Sequence, residues 1–154
     1  MVTLKDVLEA RSRIGDAIYQ SPCAHSETLS RITGCDLYLK LENLQMTGSF
    51  KERGSLNRIL QLEKQQKAAG VITASAGNHA QGLALAASKM GVKATIVMPK
   101  TTPRIKVEAV KSYGAKAVLH GDIFDEASEY AHELAEKEGL HFIPPYDDPE
   151  IIAG

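Results

Sequence analysis

Glu42-Asn-Leu-Gln-Met-Thr-Gly-Ser-Phe-Lys-Glu-Arg53 is the stretch from which the rest of the chain is best read. Ser49 followed three residues later by Glu52 is a capping-box pattern, which predicts a helix beginning at Phe50. Lys51 then falls in the first helical turn, where the positive end of the macrodipole disfavours an ammonium. A surface lysine gains nothing there, whereas a lysine that reacts as a neutral amine, for example in a Schiff base, gains reactivity. An exposed lysine at a helix start is the bland alternative. A second unusual loop, Thr73-Ala-Ser-Ala-Gly-Asn-His79, weighs against it one predicted βα unit downstream.

Upstream of Lys51, Thr3 is placed to cap a first helix whose apolar positions Leu4, Val7, Leu8, Ile14 and Ile18 recur at helical spacing and predict a packed face. Tyr19 to His25, with Pro22, reads as an extended connection, and Glu27 to Thr33 as a short helix stopped by Gly34. Asp36-Leu-Tyr-Leu-Lys-Leu41 alternates with period two and predicts a half-buried strand feeding the Glu42–Gly48 loop. Downstream, the helix from Phe50 is expected to run through Leu56, Ile59 and Leu60 to about Gly70.

From there the rhythm is regular. Strands are expected at Val71–Ala74, Ala94–Met98, Ala117–His120 and His141–Ile143. A helix from Asn78 should bury Leu83, Ala86, Ala87 and Met90 before a left-handed cap at Gly91. Thr102 with Pro103 at N1, and Asp122, are expected to cap the two helices that follow. Four strands alternating with three helices predict an α/β fold, a parallel open sheet of βαβ units with right-handed crossovers. Asp148-Pro-Glu-Ile-Ile-Ala-Gly154 reads as the opening of another helix, so the C-terminus is expected to be a cut rather than a natural end.

The chain has 154 residues and a formal net charge of −1. That balance gives no electrostatic reason to expect nucleic acid or an anionic membrane as partner. Cys23 and Cys35 form no CxxC pair, which reads as free thiols in a reducing, cytoplasmic setting. No apolar run reaches membrane-spanning length. His25, His79, His120, His132 and His141 lack metal-ligand spacing. The acidic residues Asp125, Glu126, Glu129, Glu133 and Glu136 read as a solvated helix face, and Tyr113 as core.

The loop from Ser75 to His79 is an anion site by geometry. Ala76 and Gly77 allow a tight turn, and the N–H groups of the next helix point out of the sheet edge. Ser75, Asn78 and His79 add side-chain donors. A tight turn alone would look much the same.

Thr47-Gly-Ser-Phe-Lys51 together with Ser75-Ala-Gly-Asn-His79 resembles the fold type II pyridoxal-phosphate enzymes (tryptophan synthase β-subunit-like). Among them the threonine/serine dehydratases are the most similar. The resemblance continues through Leu39-Lys-Leu-Glu-Asn43, Val97-Met-Pro99, Thr102-Pro103 and Tyr113-Gly-Ala115. It implies a three-layer α/β/α small domain (51–147), preceded by an incomplete segment of the large domain (1–50) and followed by the start of a return to it (148–154). It implies that Lys51 carries pyridoxal 5′-phosphate, that Phe50 packs beside the cofactor, and that Asn78 bonds its ring hydroxyl. Ser75, Ala76, Gly77, Asn78 and His79 would hold the substrate carboxylate.

The implied activity is elimination of the β-hydroxyl of L-threonine or L-serine, giving a 2-oxo acid and ammonia, in an enzyme expected to be a homo-oligomer. The glycine-rich loop that holds the cofactor phosphate in this family is not present by Gly154, so this chain alone is expected to be inactive. Cysteine synthases differ at Leu44-Gln45-Met46 and at Gly77-Asn78-His79-Ala80. Serine racemases are similar but carry a proton-donating serine where this chain has Ala76, which disfavours racemisation. A half-length binding module without catalysis is the reading from a different class.

Overall fold

The computed structural model describes residues 1–154. Helix α1 (Leu4–Ile14) starts at a capping box in which Thr3 and Asp6 satisfy each other's backbone N–H. Only its C-terminal half packs: Ala10 and Ile14 are buried, while Leu4, Val7 and Leu8 are 73%, 42% and 53% exposed. The expected apolar face therefore exists as a stripe with nothing laid over its first two turns.

Strand β1 (Cys23–His25) pairs antiparallel with β2 (Tyr38–Lys40), Cys23 opposite Lys40, and α2 (Glu27–Thr33) lies between them. The strand expected over Asp36–Leu41 is thus shorter and exposed rather than half-buried. Its partner is the segment read only as an extended connection. A single 3₁₀ turn (Glu42–Leu44) leads to α3 (Lys51–Leu60).

The predicted long helix to Gly70 is in fact two. Glu63 and Gln66 form a capping box of their own and restart the chain as α4 (Lys64–Ala69). The Ser49–Glu52 capping box is not formed. Phe50 occupies the N-cap without a side-chain bond, and Glu52 turns back to the N–H of Met46 instead.

The remaining elements are β3 (Val71–Ala74), α5 (Asn78–Lys89), β4 (Ala94–Met98), α6 (Arg104–Ser112), β5 (Lys116–Leu119), α7 (Phe124–Glu138), β6 (His141–Phe142) and α8 (Pro149–Ala153). The four strands β3–β6 form one parallel sheet in the order β5-β4-β3-β6. Side chains alternate across it as the pleat requires. Val71, Ile96 and Met98 face a core shared with Leu56, Ile59 and Leu83. Ile72, Ala74 and Val97 face a second core built on Ala127, Ala131 and Leu134 of α7. The result is three layers, with α3, α5 and α6 on one face and α7 on the other.

Two caps differ from expectation. Pro103, not Thr102, is the N-cap of α6; the Thr102 N–H donates to Pro99 O at 3.0 Å, and its hydroxyl is buried without a partner. Ile123, not Asp122, caps α7; the Asp122 N–H donates to Glu126 Oε2 at 2.6 Å. Met90 is 38% exposed rather than buried, since α5 ends at Lys89 and Gly91 turns the chain away with φ +65°. Tyr113 is only partly buried, its ring against the core and its hydroxyl on Met46 O. The acidic residues of α7 are all exposed. No helix is long and apolar enough to cross a membrane.

Candidate active site

The site gathers at the C-terminal ends of the sheet strands, where β3 gives way to α5. Ser75 extends β3 by donating its N–H to Val97 O at 3.0 Å. Its Oγ then accepts from the N–H groups of Gly77 and Ala80, both at 3.2 Å, so the hydroxyl serves the turn and first helical turn as an internal cap. Ala76 is partly buried against the core, while Asn78, the first residue of α5, is exposed. A Cβ added to Gly77 would meet nothing within 4 Å, so the space over this loop is open to a ligand.

His79 points the other way. Its ring is 3% exposed, Nε2 lies 3.3 Å from Ile143 O, and Nδ1 is buried without a partner. Burial pushes its pKa down to about 4; the Ile143 carbonyl opposes this and the Lys51 charge adds to it. The imidazole is therefore neutral near pH 7, with the proton on Nε2 where it donates to Ile143 O.

Lys51, the first residue of α3, extends across to the loop after β6 and donates to Pro145 O at 2.7 Å. Its Nζ stands 5.3 Å from the centroid of the Phe50 ring. A cavity of about 310 Å³ opens here, lined by Phe50, Lys51, His79, Pro145, Tyr146 and Ile151 among others. Lys51 and His79, 28 positions apart in sequence, thus line one cavity, which Ser75, Ala76, Gly77 and Asn78 do not line.

Two features outside the predicted residues hold Lys51 in place. Gly82 of α5 lies so close to α3 that an added Cβ would sit 2.8 Å from the Lys51 carbonyl carbon. An isolated glycine inside a helical pattern is the signal that could have revealed it. On the other flank, Glu42 accepts from Arg53 at 2.6 and 2.9 Å and from Ser21 Oγ at 2.6 Å. The Arg53 hydrogen bonds hold the Glu42 carboxyl at about 2, against the burial that would raise it. This fork fixes the start of the loop to the helix that carries Lys51. No group of three or more His, Cys, Asp or Glu side chains could hold a metal ion.

A primary amine in a largely apolar cavity beside an open, N–H-rich helix start fits an aldehyde cofactor with anionic substituents. Residues 14–154 match the family described as pyridoxal-phosphate dependent enzymes. The chain is 48% identical over all 154 residues to an L-threonine ammonia-lyase of Thermotoga maritima, of which it spans 38%. It superposes with TM-score 0.89 and 46% identity on the processed form of threonine deaminase isoform 2 from Solanum lycopersicum, covering 98% of this chain and 41% of that one. On the serine racemase of Dictyostelium discoideum the TM-score is 0.92 at 38% identity, covering 99% of this chain and 50% of that one. The chain spans half or less of the length of each of these relatives. With the family matched over nearly the whole chain and a lysine-bearing cavity of fitting chemistry, this chain belongs to the pyridoxal-phosphate-dependent enzymes.

Proposed function

We propose that the chain is the lysine-bearing part of a threonine/serine dehydratase that converts a β-hydroxy amino acid to a 2-oxo acid and ammonia. The observation that carries this is that Lys51 and His79, one from each of the two unusual stretches, line one cavity. Pyridoxal phosphate, when bound, supplies an electron sink for the pair left at Cα. Lys51 would hold the cofactor and, once released by the incoming amino acid, its Nζ would take the Cα proton. Ser75, by accepting from the N–H groups of Gly77 and Ala80, holds the turn in order, and the other N–H groups at the start of α5 are suited to the substrate carboxylate. Asn78 is exposed at the first helical position and would bond the cofactor's ring hydroxyl. Phe50, Pro145 and Tyr146 would supply the apolar wall beside the amine. Neutral His79 adds no competing acid near Lys51.

The same reading assigns residues 1–50 to a larger lobe, 51–147 to the small cofactor-facing lobe and 148–154 to the return. It takes the cofactor's phosphate to be held outside 1–154, and the whole enzyme to be a cytoplasmic homo-oligomer. A racemase reading draws on the likeness to serine racemase. Ala76 speaks against it, because a methyl group has no proton to deliver to the opposite face of Cα.

The test is incubation of the full-length protein with L-threonine and with L-serine, assaying ammonia, 2-oxo acid and D-isomer. Ammonia and 2-oxo acid in equal amounts without D-isomer is the expected result. D-serine without ammonia would replace the dehydratase by a racemase, and neither product would remove both.

A further inference from the structure

Glu52 follows Lys51 directly and is 2% exposed, yet it belongs to none of the chain's ion pairs. Buried carboxylates are ordinarily paired, and an apolar side chain would fill the same space without the desolvation cost. The contact it does make is specific. Oε1 accepts the N–H of Met46 at 3.2 Å, while Oε2 is buried without a partner. Met46 O accepts from the Tyr113 hydroxyl of α6 at 3.3 Å, so Met46 is gripped at both polar backbone atoms.

Met46 makes no other hydrogen bond and is 63% exposed, whereas its neighbour Gln45 is held separately, donating from Nε2 to Tyr19 O at 2.8 Å. Met46 sits inside the turn closed by Gly48 N–H on Gln45 O at 2.9 Å, with Gly48 at φ +69°. The turn runs directly into Ser49, Phe50 and Lys51. Burial raises the Glu52 carboxyl above its ordinary range; Lys89 of α5, the Met46 N–H and Arg53 oppose this, and Glu42 adds to it.

We propose that Glu52 is a positioning residue: its acceptor oxygen locks the Gln45–Gly48 turn and thereby aims the Lys51 amine into its cavity. The assignment rests on the reading of Lys51 as the cofactor lysine, and concerns how the chain prepares that lysine rather than which substrate follows.

The experiment compares wild type, Glu52→Ala and Glu52→Gln in the full-length protein. The apoenzyme is mixed with pyridoxal phosphate and the violet absorbance of the lysine-bound cofactor is followed in time. Amide exchange at Met46 and the KM for L-threonine are measured alongside. Loss of one buried acceptor should slow cofactor capture about five- to tenfold in Glu52→Ala. Met46 exchange should quicken by a similar factor while KM stays within about twofold. Glu52→Gln keeps an acceptor of the same reach and should restore both rates. Capture at the wild-type rate in Glu52→Ala, or equal slowing in Glu52→Gln, overturns the assignment. Were wild type to form no lysine-bound chromophore, the dehydratase reading would fall and this assignment with it. A normal chromophore whose rate ignores Glu52 defeats the assignment alone.

Discussion

Replacing Gly82 by alanine tests whether the close crossing of α3 and α5 is what places Lys51. The new Cβ would stand 2.8 Å from the Lys51 carbonyl carbon and 3.0 Å from both Lys51 O and Glu52 N. Carbon atoms pack at about 3.5 Å or more, so the helices must part by roughly 0.7 Å. Both walls are backbone, and no rotamer change relieves the contact. The neighbours Leu56, Ile59, Leu83 and Ala86 are buried, so the layer resists the shift. Overpacking of this kind costs about 1–3 kcal/mol, offset by about 1 kcal/mol from alanine's better helix propensity. Net destabilisation of about 1 kcal/mol should lower the urea midpoint by about 0.5 M. Activity should suffer more, because misplacing a reacting group by about 1 Å costs on the order of a hundredfold in rate. Urea unfolding and kcat on the full-length protein give both numbers. A Gly82→Ala enzyme with wild-type kcat would refute the reasoning, since α3 could then retreat without moving its lysine.

His79 predicts a pH dependence. Its folded pKa of about 4 lies below the ordinary value of 6.5, so its contribution is present above pH 6.5 and is lost as pH falls towards 4. The loss should reach on the order of 3 kcal/mol, and urea midpoints of His79→Gln should be flatter over that window. Glu42 has its carboxyl lowered from 4.5 to about 2, so its stabilisation holds above pH 4.5 and is lost as pH falls through about 2. Glu42→Gln should cost on the order of 2 kcal/mol at pH 7, after allowance for solvent screening, and should unfold with less sensitivity to acid. Ala76→Ser in the full-length enzyme should raise D-serine formed from L-serine relative to ammonia, measured by chiral chromatography. No detectable D-serine would mean that another group limits the reaction.

The parallel-sheet part of the chain was legible because each of its signals is local. Buried strands bounded by glycine, helical apolar spacing and the Asp148–Pro149 helix start all place elements where the structure has them. What was not legible depended on competition between partners. Ser49 and Glu52 spell a capping box, but Glu52 accepts from the Met46 N–H instead of the Ser49 N–H, and no local pattern ranks those two donors. The helices expected to be capped by Thr102 and Asp122 each start one residue later, with Pro103 and Ile123 at the N-cap and no side-chain cap bond. The helix split at Glu63–Gln66 does carry a sequence signature, masked by the apolar continuity of Leu60 and Leu62. At the site, the loop and the lysine were each visible in sequence. The sharing of one cavity by Lys51 and His79, and the Gly82 approach, come only from tertiary packing.

The central claim is that Lys51, among all the lysines of the chain, is the one that holds the cofactor. Borohydride reduction of the full-length protein after addition of pyridoxal phosphate, followed by peptide mass mapping, tests it most directly. One pyridoxyl group per chain on the peptide containing Lys51, absent from Lys51→Ala together with ammonia release from L-threonine, is the predicted result. Label on a different lysine, or a Lys51→Ala protein that still binds covalently and turns over threonine, would contradict the account.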